Sequence, residues 1–186
     1  VVVDAVKSVN ESTVAFFFCK YDDKSRNAFN GLARSLLAQI LAQNPHLLPY
    51  FYEEASLSKD TILTSNTTAK EMLRTTLDSC TKTYLIIDGL DECGRRDGKE
   101  IVTWFQNLVE DLSSERMDSI RCLFVSQDDA APGIPSIKVT ALENRRDLSS
   151  FVSVWHKQIE AKFGELQSKE YHIANILLAR AQGMFP

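Results

Sequence analysis

The sequence predicts an α/β protein built on a parallel sheet, and three observations carry that prediction. Two continuous apolar runs, Thr13–Lys20 and Thr83–Asp88, are strand-length and apolar on both faces, as strands buried between helices are. Between and after them lie stretches with apolar residues at i, i+3, i+4 and i+7, the period of an amphipathic helix. Strand and helix alternate along the chain, the order that parallel strands require because each crossover is usually made by a helix.

The first run, Thr13–Lys20, is rich in β-branched and aromatic residues, with Phe16, Phe17 and Phe18 expected in the sheet core. Asn27–Gln43 predicts a helix whose apolar stripe runs from Phe29 through Leu32, Leu36 and Ile40. Asn44–Pro45 ends it, because proline lacks the N–H that a further turn needs. A helical stretch over Pro49–Ala55 leads into a polar loop, and Thr68–Cys80 predicts a shorter helix carrying Met72, Leu73 and Leu77. Thr83–Asp88 is the second strand. The spacing Asp97-x-x-Glu100 reads as a helix start, with Asp97 accepting from first-turn amides and Glu100 facing the N-terminal dipole. That helix buries Ile101, Phe105 and Leu108. Arg121–Ser126 predicts a third strand and Ser136–Thr140 a short fourth, separated by the turn Ala131–Pro132–Gly133. Arg146–Phe163 and Lys169–Ala181 predict two closing helices, and Trp104 and Trp155 read as packing on apolar helix faces. The expected organisation is an α/β core over residues 1–145 followed by a helical extension over residues 146–186.

With 186 residues, 44% of them hydrophobic and 25% charged, the chain has the composition of a globular domain with a sizeable core. A formal net charge of −4 and the absence of a basic run argue against a nucleic-acid partner. The longest apolar stretches are strand-sized, short of the roughly 18 residues that suggest a membrane-crossing helix. No targeting peptide is recognisable, so no membrane partner and a cytoplasmic location are expected. Cys19, Cys80, Cys93 and Cys122 stand singly, without C-x-x-C spacing, and read as buried thiols of a reduced intracellular protein. His46, His156 and His172 are far apart and read as surface or core residues. The chain opens on three valines without an initiator methionine and closes on Gly183–Met184–Phe185–Pro186 within an apolar pattern, so a piece of a longer protein is expected.

The chemistry is concentrated in Tyr84–Cys93. Ligands of an open parallel sheet bind beyond the carboxyl ends of its strands, and Asp88 follows Leu85–Ile86–Ile87 at such an end. A carboxylate there can hold Mg²⁺ directly or through water. Gly89 removes a side chain where a phosphate would approach, and Asp91 and Glu92 add two carboxylates within a turn. The plainer readings stand beside these. Asp-Gly is also a favourable turn pair, Asp91 and Glu92 could be a solvated acidic turn paired with Arg95 and Arg96, and Ser126–Gln127 could be a polar strand exit.

Tyr84–Cys93 resembles the Walker B motif of NACHT domains, the signal-transduction NTPases of the STAND class. Those domains carry a small residue after the Mg²⁺ aspartate and an acidic pair shortly after it. More narrowly, FFFCKY at Phe16–Tyr21, LARSLLAQ at Leu32–Gln39, IRCLFVS at Ile120–Ser126 and ARAQGMF at Ala179–Phe185 are similar, in the same order, to segments of nephrocystin-like NACHT modules abundant in fungal NLR-like proteins. The resemblance covers nearly the whole chain. It implies a P-loop NTPase-like, Rossmannoid three-layer sandwich, incomplete because the first strand and its phosphate loop are missing, with C-terminal helices that begin a NACHT-associated helical region. It implies Asp88 as the Mg²⁺ aspartate with Gly89 beside it, Asp91 and Glu92 (the latter favoured) as the pair that positions the attacking water, and Ser126 and Gln127 at the position that reaches toward the γ-phosphate. The implied cofactors of the complete domain are Mg²⁺ with ATP or GTP. The implied partners are the nucleotide, the other domains of the parent protein and further copies of itself.

The sequence departs from that pattern twice. Gln127 stands where NACHT domains often carry arginine, and glutamine cannot neutralise developing charge. No G-x-x-x-x-G-K-[ST] occurs, and the seven glycines never take that spacing. Val1–Lys7 resembles the helix after the loop, so the loop is expected upstream. Its strand would lie between those matching Arg121–Ser126 and Ser136–Thr140, and without it the sheet would have a gap. The isolated chain is therefore expected to bind no nucleotide tightly and to hydrolyse none. The competing expectation is a non-enzymatic remnant that packs against a partner through that gap.

Overall fold

A computed structural model describes residues 12–23, 25–58, 62–127 and 131–164, together with Val3 and Asn175. They belong to two compact units, Val1–Gly133 and Ile134–Pro186. The first unit contains β1 (Thr13–Phe18), α1 (Phe29–Gln43), α2 (Leu48–Ser58), α3 (Asn66–Asp78), β2 (Thr83–Asp88), α4 (Arg95–Glu110) and β3 (Ile120–Val125). The second contains α5 (Ala141–Phe163).

The three strands form one parallel sheet in the order β1-β2-β3. This is the α/β architecture that the alternation of elements predicts, consistent with an incomplete P-loop-like fold. Register places Thr13 beside Thr83 and Ile120 at one end, and Phe18 beside Asp88 and Val125 at the other. Because the strands are parallel, all three carboxyl ends open on the same side. The pleat sorts the side chains into two sets. Ala15, Leu85 and Cys122, then Phe17, Ile87 and Phe124, share one face, where the Phe105 ring of α4 lies 6.1 Å from that of Phe124. The opposite set ends in Phe18, Leu123 and Val125, all exposed.

The core is helix against strand. Phe29, Leu32, Leu36 and Ile40 of α1 are fully buried, as their spacing predicts, and α1 packs along β1 and α3. Burying each such side chain stabilises the fold by roughly 1.5–3 kcal/mol relative to exposure. Phe29 also meets Trp104 of α4 edge to face at 5.2 Å. A half-buried ion pair between Lys70 and Glu100 (2.6 Å) joins α3 to α4.

The outer edge of β1 is closed by side chains of α1. Gln43 accepts from the Val14 N–H (3.0 Å) and donates to its carbonyl (2.8 Å), and Gln39 does the same for Phe16 (3.1 and 2.7 Å). Asn44 donates to Thr13 Oγ1 and Arg26 to the Phe18 carbonyl. The match is geometric. Four residues of helix advance about 6 Å, close to the roughly 6.6 Å between alternate residues of a strand. Among the described residues nothing pairs with the outer edge of β3.

Three sequence expectations are corrected. No strand forms over Ser136–Thr140; the segment has no regular structure, and Ile137 and Val139 are 94% and 62% exposed. Alternation of apolar and polar residues makes a strand only where a backbone edge is available to pair with it, and none does so here. Asp97 is not a helix cap, because α4 starts two residues earlier with Gly94 at the N-cap, and Glu100 is committed to Lys70. Phe18 and Trp155 are half-exposed rather than packed in a core. The expected helix over Lys169–Ala181 lies outside the described residues apart from Asn175, as does Val1–Lys7 apart from Val3.

Candidate functional site

The carboxyl ends of the strands carry every residue that the sequence singles out. β2 delivers Asp88 and breaks at once. Gly89 takes a left-handed conformation (φ +73°), and Leu90–Glu92 form a single 3₁₀ turn closed by Glu92 N–H to Gly89 O at 2.9 Å. Two constraints require glycine there. The left-handed conformation disfavours side chains, and a Cβ would stand 3.3 Å from the Cys19 carbonyl oxygen. On that side the bare position is filled by the chain itself. Leu90 is buried and anchors the turn.

The turn aims its two carboxylates at neighbouring segments. Asp91 Oδ1 accepts from the Ser126 hydroxyl and from the Gln127 N–H, both at 3.1 Å, so it holds the exit of β3 against the exit of β2. Glu92 Oε2 accepts from the Tyr21 N–H at 3.0 Å and holds the exit of β1. Neither Arg95 nor Arg96 pairs with them among the described residues, so the acidic turn is tied inward rather than balanced on the surface. Asp88 differs. It is half-buried, its backbone carbonyl accepts from the Cys19 N–H at 2.8 Å, and its carboxylate has no hydrogen-bond or ion-pair partner among the described residues.

The structure thus brings Asp88, Gly89, Asp91, Glu92, Ser126 and Gln127 to one rim. Among the described residues no group of three or more His, Cys, Asp or Glu side chains could hold a metal ion. Asp88 is accordingly a candidate for a single protein ligand. On the far side of the turn, Leu90, Asp91, Cys93, Gly94, Arg95 and Gly98 border an open cavity of about 680 Å³ that also includes Lys99, Thr103 and Gln106.

Sequence reasoning missed the cysteines of this rim. Cys19 and Cys93 are both buried, and their thiols share a hydrogen bond. That bond, and burial after it, raise the Cys19 thiol well above its ordinary range, while acceptance from Cys19 lowers Cys93. Their positions after β1 and after the β2 turn were the only signal. Cys122 points to the helix-covered face of β3, where burial pushes its thiol up to about 12. Among the described residues no helix is long and apolar enough to cross a membrane.

No curated protein and no solved structure gives a significant match to the chain. The family model for nephrocystin 3, N-terminal, matches residues 1–127, which contain the three strands and all six rim residues. The chain belongs to the nephrocystin 3 N-terminal family.

Proposed function

We propose that this chain contributes one half of the nucleotide site of a NACHT-type, STAND-class signalling switch in a cytoplasmic NLR-like protein. The observation that carries the reading is the Asp88 carboxylate, which stands at the carboxyl end of β2 without a protein partner among the described residues, while its neighbours Asp91 and Glu92 are engaged. A single hard oxygen donor fits Mg²⁺, which is commonly held by one or two carboxylates with the remaining positions filled by water and phosphate. When bound, the ion would neutralise charge on the β- and γ-phosphates of ATP or GTP. Asp91, which holds Ser126 and Gln127, would set their approach to that phosphate, and Glu92, whose Oε2 holds Tyr21, would offer Oε1 to a water. The sequence holds no phosphate-cradling G-x-x-x-x-G-K-[ST], so that half of the site would come from outside these 186 residues.

Calorimetry tests this in two steps. The 186-residue chain is expected to show no tight binding of Mg²⁺–ATP or Mg²⁺–GTP. The parent protein is expected to bind one of them and to lose that binding on Asp88→Ala. Tight binding by the chain alone, or binding by the parent that is indifferent to Asp88, would refute the proposal.

A second reading, a protein-interaction module without nucleotide chemistry, is favoured by one observation. The edge of β1 is closed by Gln39 and Gln43, whereas among the described residues nothing pairs with the edge of β3, and Leu123 and Val125 are 45% and 42% exposed. Such an edge accepts an added strand. Nucleotide-free parent protein that still binds its partners, and loses them on Val125→Lys, would select this reading.

A further inference from the structure

We propose that Cys19 and Cys93 are a site of reversible oxidation, joined by peroxide into an intramolecular disulfide that links the exits of β1 and β2. The inference does not depend on nucleotide binding. Both cysteines are free and buried, and their side chains are in hydrogen-bond contact although far apart in sequence. The backbones that carry them are already held together. Cys19 N–H donates to the Asp88 carbonyl at 2.8 Å, and two residues further on the Tyr21 N–H donates to the Glu92 carboxylate at 3.0 Å, next to Cys93. Gly89 permits this approach, since a side chain there would meet the Cys19 carbonyl at 3.3 Å and its Cβ at 3.7 Å. Backbone and side-chain bonds thus already join the two segments that carry the sulfurs, and separation of the backbones is the usual obstacle to a disulfide.

The two thiols are equally buried, each residue 8% exposed, and differ in their surroundings. Cys93 borders the open cavity of about 680 Å³, with Leu90, Asp91, Gly94 and Arg95 around it, so hydrogen peroxide entering from that side meets Cys93 first. Its sulfur attacks one peroxide oxygen, the O–O bond breaks, and Cys93 becomes a sulfenic acid with release of water. The Cys19 sulfur then attacks the Cys93 sulfur, the S–OH bond breaks, and a second water leaves with the Cys19 proton. Two thiols and one hydrogen peroxide thus give one disulfide and two waters, the two thiols supplying the two electrons. A dithiol reductant reverses the reaction by thiol–disulfide exchange. Cys80 donates to the Thr76 carbonyl at 3.3 Å, and Cys122 lies within β3; neither has a thiol partner among the described residues.

Peptide mass mapping of the unaltered chain tests this. Folded protein is exposed to hydrogen peroxide, free thiols are blocked by alkylation, and the digest is run with and without a dithiol reductant. The expected result is a cross-linked peptide pair containing Cys19 and Cys93 that the reductant separates, with Cys80 and Cys122 recovered alkylated. Cys19→Ser should leave Cys93 trapped as a sulfenic acid that a dimedone probe captures. Separate over-oxidation of Cys19 and Cys93 without a cross-link would overturn the proposal, as would Cys80 or Cys122 as the main cross-linked partner. Because the decisive map needs no substitution, a variant that fails to fold cannot obscure it.

Discussion

The carboxamide of Gln39 accepts the Phe16 N–H at 3.1 Å and donates to the Phe16 carbonyl at 2.7 Å, standing where the peptide of a fourth strand would stand. Gln43 repeats the arrangement at Val14. A sheet edge that would otherwise recruit another chain is thereby satisfied from within.

Replacing Gln39 by Leu keeps most of the bulk and removes both bonds. Each partly buried hydrogen bond contributes about 0.5–1.5 kcal/mol net, so Gln39→Leu should lower stability by about 1–3 kcal/mol. Denaturant unfolding measures the loss. The double variant Gln39→Leu/Gln43→Leu should in addition self-associate in a concentration-dependent manner, which sedimentation detects. Stability equal to that of the parent chain would mean that water satisfies this edge equally well.

Asp91 joins the exit of β2 to that of β3 through one oxygen, which accepts from both Ser126 and Gln127. Gln127 is exposed, so the bond to its amide sits at the weak end of charged hydrogen bonds. Asp91→Ala should therefore free that amide by about 1 kcal/mol and speed its hydrogen exchange roughly fivefold. Asp91→Asn retains an acceptor oxygen and should fall between the two. Unchanged exchange in the alanine variant would show that the β3 exit is held by other means.

Gly31 lies within α1, where alanine would ordinarily be preferred. A Cβ there would sit 1.9 Å from the Ser25 carbonyl oxygen, a backbone atom that moves only with its loop. That loop is held in turn by Arg26 on the Phe18 carbonyl and by Asp23 on Ser25. The helix-propensity gain of Gly31→Ala is about 1 kcal/mol, against an overpacking cost of about 1–3 kcal/mol. At so short a distance the cost should win. A lower melting temperature with chemical-shift changes at Ser25 and Arg26 is the expected outcome; a stabilised variant would contradict it.

Local features of the chain were legible in the sequence, and features that join distant segments were not. Thr83–Asp88 runs as its apolar pattern predicts, and α1 ends at the expected Asn44–Pro45 boundary. Asp88 lies at a strand end because four apolar residues precede it. By contrast, Gln39 and Gln43 look like the wet side of an amphipathic helix, and only the fold brings them to β1. Cys19 and Cys93 are equally remote from each other in sequence. The start of α4 was misplaced because Gly94 caps it without a side chain, whereas Asp97 has the chemistry of a cap and sits inside the first turn. Ile137 and Val139 carry a strand's alternation, but pairing depends on a neighbour that the alternation does not encode.

The start of α5 is a capping box, in which the Thr140 hydroxyl accepts from the first turn while Glu143 accepts from the Thr140 N–H at 2.7 Å and from its hydroxyl. Those bonds, the hydroxyl's first, lower the Glu143 carboxyl below its ordinary 4.5. A carboxylate whose folded pKa is depressed contributes its stabilisation fully above the unfolded value. It loses that contribution as pH falls through the folded one. The cap should therefore persist from neutral pH down to about 4.5 and weaken below it. The measurement is an NMR titration of the Thr140 amide alongside helix content. Glu143→Gln cannot titrate but still offers an oxygen to the amide, so it should abolish the acid-dependent change at Thr140 while keeping the helix start. Persistence of the same acid transition in that variant would assign it to another group.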